Sequence, residues 1–362
     1  MGIRRQRSTV HAVPAMSSVN AAAGTYSQIG QFYTYSVGAY VERAQSIPTL
    51  TRAQNLLVSM VAGLDLEQYT MQWTGEDYEE VVIPGESWMT RPDPRVSRQF
   101  IVGSTVGDLF WHGRAFWYVT SRFASGYPAT FTWLPAGNVN TVDQPGPIWF
   151  GPSDQVQFNG NTLDSANVVQ FISPTPGVLF TGARSIDIAI RLDNAAKRAA
   201  SPIASGYLQQ TGGEPMTSDE LSELAGAWTS SRSGTEQTEG NTVGALNEFV
   251  KFVEFSADPS KMQLSEGREY SSLELSRVAN IPPYLLGIST GGMTYQNAQE
   301  SMKQLYLLGA RPIMQTIEQT LSLDNILPRG RFTRFDLDDM FENDRLADEM
   351  ATADTANSGG MS

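Results

Sequence analysis

The segment Gly287-Ile-Ser289-Thr-Gly291 comes nearest to a catalytic motif, because it matches the G-x-S-x-G pattern of serine hydrolases. In that pattern the serine lies between a strand and a helix, and a histidine later in the chain takes its proton. Here the pair Pro282–Pro283 precedes the motif, and both histidines, His11 and His112, lie upstream of it. The sequence therefore argues against a hydrolase and favours a flexible loop.

Other ligand-binding patterns are also incomplete. A phosphate-binding P-loop needs a lysine directly after its last glycine, and Met293 follows Gly292 here. An EF-hand loop that began at Asp336 would hold Phe341 where the calcium site requires glycine. A single histidine among aromatic residues, such as His112, is more typical of a packed side chain than of a metal ligand. We therefore expect no catalytic residue, no cofactor and no metal site.

Composition narrows the class further. The chain has 362 residues, a formal net charge of −13 and no cysteine. This length is typical of two or three packed units, and disulfides and thiol chemistry are excluded. No apolar run reaches the ~20 residues of a membrane helix. An acidic protein is a poor candidate for gripping DNA, whose binding depends on Lys and Arg, but it suits a surface that DNA slides past.

The first half of the chain alternates between helical and strand-like patterns. A helix with one apolar face is predicted from Pro48 to Leu66. Residues 69–183 contain six of the seven tryptophans and read as a mixed α+β body, with the tryptophans in its core. Within it we predict a helix over Gln99–Trp111 and strands over Phe116–Thr120 and Thr130–Leu134.

The second half is dominated by helices. We predict helices over Ser185–Ala204, from Thr217 with a Thr217/Glu220 capping box, over Asp258–Asn280, and over Thr294–Ser322, where Pro312 should kink the helix or split it in two. Short strands are predicted over Gly206–Gln210 and Phe249–Phe255, and a loop over 229–242. Residues Phe335–Met350 form an acidic segment, which we interpret as a solvated helix face.

The order of these pieces resembles the portal proteins of tailed double-stranded DNA bacteriophages, in the smaller type common in long-tailed phages. The strongest likeness is Val278-Ala-Asn-Ile-Pro-Pro-Tyr-Leu-Leu-Gly287, followed by Thr294-Tyr-Gln-Asn297, a helix with Arg311-Pro312, and Phe335-Asp-Leu-Asp-Asp339. Ile47-Pro48, Trp111-His-Gly-Arg-Ala-Phe116 and Leu134-Pro135 also fit. Each string is weak alone, but together they extend over Ser46–Asp339.

The resemblance implies an α+β portal fold assembled as a ring. Its parts would be a flexible N-terminal arm (1–30), an α/β wing (31–183), stem helices (184–204 and 258–280), a small α/β clip (205–257), a tunnel loop (281–297), a long kinked helix with a crown-side segment (298–350) and a disordered tail (351–362). The tunnel loop would line the DNA channel with Leu286, Gly287, Ile288, Ser289, Thr290, Gly291, Gly292 and Met293. Pro312 would mark the helix kink, and Trp228, Phe249, Phe252 and Phe255 would contact neighbouring clips.

The implied function is that of a ring, usually of twelve subunits, at one capsid vertex, through which DNA is packaged and ejected without sequence specificity. Its partners would be the terminase large subunit, a head–tail adaptor, and the major capsid protein or scaffold, with no membrane. It would reside in the virion, and in the host cytoplasm during assembly. The alternatives are another virion structural protein, such as a head–tail adaptor, and, far behind, a hydrolase that uses Ser289.

Overall fold

The protein is described from a computed structural model, which covers residues 41–144, 151–199, 206–232, 249–254, 264–289 and 298–338. The helices that lie wholly within these ranges are α1 (Pro48–Ala62), α2 (Ser87–Thr90), α3 (Arg98–His112), α4 (Val178–Thr181), α5 (Ala183–Ala199), α6 (Ser218–Arg232), α7 (Leu264–Val278), α8 (Ala298–Leu305) and α9 (Arg311–Leu321). The strands are β1 (Leu66–Trp73), β2 (Tyr78–Ile83), β3 (Arg114–Arg122), β4 (Pro128–Leu134), β5 (Val139–Thr141), β6 (Val156–Phe158), β7 (Asn161–Leu163), β8 (Val168–Ile172), β9 (Gly206–Gln210), β10 (Val250–Glu254) and β11 (Arg331–Phe335). This mixture of helix and antiparallel sheet confirms the predicted α+β class.

The body between α1 and β8 is built around one helix and one sheet. Ser97 caps α3 by accepting a hydrogen bond from the Phe100 N–H at 3.1 Å, which is why the helix begins at Arg98. Its apolar face packs on the sheet β4-β3-β8. Trp117 on β3 is 1% exposed, and its indole N–H donates to Thr105 of α3 at 2.7 Å. The predicted helix and both predicted strands are therefore confirmed.

The tryptophans divide between core and surface. Trp88, Trp111 and Trp117 are almost fully buried, as predicted, whereas Trp73 is 55% exposed near the tip of the β1–β2 hairpin. The register pairs Trp73 with Tyr78 across that tip, so both rings project beyond the body. Trp149 lies outside the described residues.

The C-terminal strand returns to the N-terminal part of the body. β11 pairs antiparallel with β1, Phe335 opposite Leu66, in the sheet β11-β1-β2. Phe335 is 2% exposed, and its N–H donates to the Glu318 carboxylate of α9 at 2.9 Å. Residues 311–335 therefore share the core of the predicted wing, although the sequence places 298–350 in a segment of its own. This long-range strand pairing and the packing of α9 on α3 and β8 join them, and neither has a local sequence signal.

The helices α5 and α7 lie antiparallel. A Cβ on Gly182 would meet Val278 at 2.6 Å, and a Cβ on Gly267 would meet Leu192 at 3.4 Å, so the start of one helix faces the end of the other. This matches the helix pair that the resemblance implies for a stem. The predicted ends at 200–204 and 258–263 lie outside the described residues, and α7 ends at Val278, two residues before the predicted end.

A small unit lies between these two helices in sequence. β9 and β10 pair antiparallel, and the predicted capping box opens α6, with the Glu220 carboxylate accepting from the Thr217 N–H at 2.8 Å. The predicted strands are confirmed, except that Phe249 precedes β10 and Phe255 lies outside the described residues. The helix continues to Arg232, so the prediction of a loop from residue 229 is wrong for 229–232.

Candidate functional site

The candidate site is the turn after α7 together with the interrupted helix α8–α9. Asn280 adopts a left-handed φ of 53°, which ends α7, and the buried Ile281 follows. The proline pair then starts a 3-10 turn over Pro283–Leu286. Gly287, with φ 79°, closes the turn because glycine takes this conformation without a steric penalty. The first residues of the predicted tunnel loop, 281–287, therefore form an ordered turn that is the base of the loop.

Two side chains and one backbone bond hold this base to neighbouring elements. Arg52 of α1 donates from Nε to the Leu285 carbonyl at 2.8 Å. The Tyr284 hydroxyl donates to the Gln304 side chain of α8 at 2.9 Å. The Ile288 N–H donates to the Pro283 carbonyl at 3.0 Å. The turn is therefore tethered to α1 before the loop and to α8 after it.

The structure describes four of the eight residues predicted to line a channel. Gly287 and Ser289 are exposed, and Ile288 is partly buried against the core. Leu286 is 7% exposed and belongs to the main hydrophobic cluster. The 3-10 turn directs its side chain into the core of the subunit, and its predicted place in the channel lining stays a prediction. Thr290, Gly291, Gly292 and Met293 lie outside the described residues.

The helix after the loop is interrupted near Pro312, as predicted, but the irregularity precedes the proline. Residues Tyr306–Ala310 form a π-helical turn, and the Arg311 N–H donates to the Tyr306 carbonyl across it. Pro312 lies in the first turn of α9, where a missing N–H costs little. The prediction that Pro312 would kink this helix or split it in two agrees with the described residues, in which α8 and α9 are joined by a π turn directly before Arg311 and Pro312.

Asn280 was not singled out from the sequence, yet it completes the backbone hydrogen bonding of this turn. Pro312 cannot supply the N–H that would ordinarily reach the Leu308 carbonyl four residues earlier. The Asn280 side-chain amide donates to that carbonyl at 2.6 Å. The residue that ends α7 thus also stabilises the π turn. The detectable signal was the Asn-Ile-Pro-Pro string, since asparagine is the non-glycine residue that best tolerates positive φ.

Gly309 brings the π turn close to α1. A Cβ at this position would meet Leu57 at 3.0 Å and Ile281 at 3.4 Å. Both neighbours are almost fully buried. The loop base, α1 and the π turn therefore pack as one unit, so a shift in one displaces the others.

The predicted clip residues are only partly described. Trp228 on α6 is partly buried. Phe249 is 43% exposed and covers Gly212, where an added Cβ would meet its ring at 2.9 Å. The Phe252 side chain and the whole of Phe255 lie outside the described residues. The contacts of these four residues with neighbouring subunits stay a prediction.

Among the described residues, no hydrolase arrangement surrounds Ser289. A 3-10 turn, and not a strand, precedes Ser289. His112 lies at the end of α3, where burial, assisted by the charge of Arg114, lowers its pKa to about 3. The groove lined by Ser289 is otherwise lined by Gly287, Ile288 and residues of α7 between 266 and 273. His112 is not among them.

Another buried ionisable group lies nearby on α3. Burial raises the pKa of the Asp108 carboxyl to about 7, although hydrogen bonds from the Trp133 indole at 2.8 Å and the Ala136 N–H at 3.0 Å oppose the shift. Asp108 thus connects α3 to the end of β4, and we assign it a structural role.

The described ranges hold neither a metal-binding cluster nor a membrane-spanning helix. Those residues include no group of three or more His, Cys, Asp or Glu side chains that would hold a metal ion. The predicted acidic segment is described only to Asp338. Among the described helices, none is long and apolar enough to cross a bilayer.

Comparisons with known proteins agree on one family. The family model for phage portal proteins matches residues 48–362. The probable portal protein of Streptomyces phage phiC31 is 25% identical over 202 residues, which are 53% of this chain and 41% of that protein. The chain therefore spans about two fifths of the length of this curated relative.

Solved structures agree on the fold. The HK97-family phage portal protein from Corynebacterium diphtheriae superposes with a TM-score of 0.64 and 23% identity, over 83% of this chain and 97% of that one. A chain from the neck of a native gene transfer agent particle, computed with C12 symmetry, gives a TM-score of 0.57 and 17% identity, over 89% and 90%. These likenesses show that the chain shares the fold of those proteins. The chain is a member of the phage portal protein family.

Proposed function

We propose that this chain is the subunit of a ring at one capsid vertex, through which double-stranded DNA is packaged and ejected. The observation that carries the proposal is the uncharged segment between Ile281 and Gln299, whose base is tethered to α1 and α8. A segment held rigidly at its base can narrow a channel while its uncharged tip avoids gripping phosphates. We propose that Gly287, Ile288, Ser289 and residues 290–293 form this collar.

The charge of the chain supports a conduit. Affinity for DNA arises largely from cations that displace counterions from the phosphates, and it falls steeply with salt. A net charge of −13 and an uncharged collar lower that affinity, so DNA can move through without being held. An enzyme is not required for this role, and we propose that the chain has no catalytic activity of its own.

The remaining parts take the roles that the family resemblance implies. We propose that α5 and α7 form the stem, that β9, β10 and α6 form the clip, and that Trp228, Phe249, Phe252 and Phe255 contact neighbouring clips. The partners would be the terminase large subunit, a head–tail adaptor, and the major capsid protein or scaffold. The location would be the virion, preceded by the host cytoplasm. That a similar chain occurs in a neck solved with C12 symmetry supports a ring of twelve.

Imaging tests the assembly directly. Electron micrographs of the purified full chain should show rings with a central hole, and rotational averaging should give their subunit number. Monomers without rings over a wide concentration range, in the absence and presence of scaffold, would contradict the proposal.

A charge placed in the collar tests the channel. The variant Ser289→Lys should still form rings but should bind DNA more tightly at low salt, because each phosphate that is neutralised adds about 0.9 to the slope of log K against log salt. Packaging in a complementation assay should slow accordingly. Ser289→Gln, which is long but uncharged, is the matched control and should behave like the parent. Equal salt slopes for both variants would mean that Ser289 does not face DNA.

A further inference from the structure

The β1–β2 hairpin exposes an aromatic and apolar face. The strand register places Met71, Trp73, Tyr78 and Val82 on one side of the hairpin, and they are 42%, 55%, 60% and 53% exposed. The rings of Trp73 and Tyr78 contact each other edge to face at 5.1 Å. An aromatic side chain has a surface area of ~150–250 Å², so at these exposed fractions Trp73 and Tyr78 together leave roughly 200 Å² of surface in contact with solvent. Aromatic side chains are enriched at protein interfaces, and on this face they lie beside Glu80, which the register places opposite Met71.

The same hairpin is acidic. Glu76 and Asp77 lie in its turn, and Glu79 and Glu80 follow on β2. Glu80 is paired with Arg334. No ion pair is formed by the other three carboxylates within the described part of the chain. A partner surface that suits this hairpin should therefore be positive and should offer apolar contacts.

The chain itself carries such a surface. A groove of about 520 Å³ lies between α2 and the start of α3 and is lined by Thr90, Arg91, Pro94, Arg95, Val96, Ser97 and Arg98. Val96 is 38% exposed, and Phe100, in the first turn of α3, is 50% exposed. The groove thus combines arginines with exposed apolar side chains.

The groove is pre-organised, and one of its charges is not neutralised. Arg95 donates from Nη2 and Nε to the buried Asp93 at 2.8 and 3.0 Å, and Thr132 donates to the same carboxylate at 2.8 Å. These bonds hold the pKa of Asp93 well below its usual range. Among the described residues no carboxylate pairs with Arg91, so the positive charge of Arg91 is free for a partner.

We infer that the hairpin of one subunit docks in this groove of the next subunit around the ring, with Trp73 and Tyr78 against Val96 and with the acidic turn against Arg91. The inference rests on the proposed ring. A cyclic ring uses head-to-tail contacts, so each subunit must present two different and complementary surfaces. The hairpin and the groove satisfy this requirement, since they are opposite in charge and both expose apolar side chains. A second copy of this chain is therefore the occupant of the groove.

Cross-linking tests the contact, because the unmodified chain contains no cysteine. Full chains with Glu76→Cys are mixed with full chains that carry Val96→Cys, assembled, and treated with a short bismaleimide. We expect covalent heterodimers. Ser125→Cys, at the exposed turn between β3 and β4, replaces Val96→Cys in the control and should give none. Rings that show no Glu76–Val96 product, or an equal yield with the Ser125 control, would overturn the inference but leave the proposed ring intact.

Charge reversal gives a second and independent readout. Arg91→Glu and Glu76→Lys should each raise the protein concentration needed for half-assembly several-fold, with unchanged helix content. The double variant should recover, because every interface then contains one reversed pair. A double variant worse than either single change would contradict the inference. Failure of the parent chain to form rings would instead overturn the proposed function on which the inference rests.

Discussion

The hydrogen bond between Asn280 and the Leu308 carbonyl gives the sharpest prediction about the candidate site. Replacing Asn280 with alanine removes this bond, which is worth about 0.5–1.5 kcal/mol. It also places a residue with little tolerance for positive φ at 53°, at a cost of roughly 1–2 kcal/mol. We expect the free energy of opening the π turn to fall by about 2 kcal/mol. This is less than the largest sum of the two effects, because asparagine already bears part of the cost of a positive φ.

Glycine at the same position separates the two effects. Asn280→Gly loses the hydrogen bond but accepts the positive φ, so opening should become easier by only about 1 kcal/mol. At ~1.4 kcal/mol per tenfold change, amide exchange should quicken about 30-fold for the alanine variant and about fivefold for the glycine variant.

Hydrogen exchange followed by mass spectrometry measures this directly. The peptides to follow are those that cover the π turn, Tyr306–Ala310, and peptides from α3 serve as the internal reference. A change that is uniform over both regions would indicate global destabilisation and would refute the local explanation. So would equal exchange rates in the parent and both variants.

Pro312 supplies a double-mutant test of the same reasoning. Pro312→Ala restores an N–H that can reach the Leu308 carbonyl, so the Asn280 side chain loses its special role. Asn280→Ala should therefore cost about 1 kcal/mol less in the Pro312→Ala background than in the parent. Additive effects of the two substitutions would mean that the Asn280 amide does not replace the donor that proline lacks.

Three further predictions concern the body and the clip. Asp108→Asn keeps the oxygen that accepts from Trp133 but removes the titrating carboxyl group. Because the pKa of Asp108 is about 7 in the folded state and 3.8 in the unfolded state, the unfolding free energy of the parent should fall relative to that of the variant between about pH 4 and pH 7. A difference in urea unfolding that does not change with pH would refute this. Gly177→Ala would place a Cβ 2.3 Å from the Trp111 carbonyl oxygen, so we expect the free energy of unfolding to fall by more than about 3 kcal/mol. A variant with nearly the thermal stability of the parent would contradict this tight backbone contact. Trp228→Asp should shift sedimentation from rings to smaller species while helix content persists, and unchanged rings would remove Trp228 from the subunit contacts.

Several features of this protein follow from local sequence signals. The cap at Ser97, the capping box at Thr217 and the proline pair after α7 each fix an element end through bonds within a few residues, and the structure places the corresponding helices and turn accordingly. Chain order also argues against Ser289 as a hydrolase nucleophile, and in the structure a 3-10 turn, not a strand, precedes this serine. The resemblance to portal proteins also rested on the order of local strings, and the string that contains the proline pair, Val278–Gly287, was the strongest of them.

Other features depend on residues that are far apart in the chain. No periodicity in Arg331–Phe335 predicts the pairing of this segment with β1. The sequence around Leu286 is typical of a loop, and only the packing of distant segments buries its side chain. The π turn arises because Pro312 removes one backbone donor and Asn280, 28 residues away from Leu308, replaces it. The hairpin face of Trp73 and Tyr78 is likewise set by strand register. Local signals in the sequence determined most of the helices, the turn after α7 and the resemblance to one family, whereas several element ends and the β1–β2 hairpin were not predicted. Only the tertiary structure decided which side chains are buried, which carbonyls are capped and which faces are left for a partner, because those depend on contacts between distant segments.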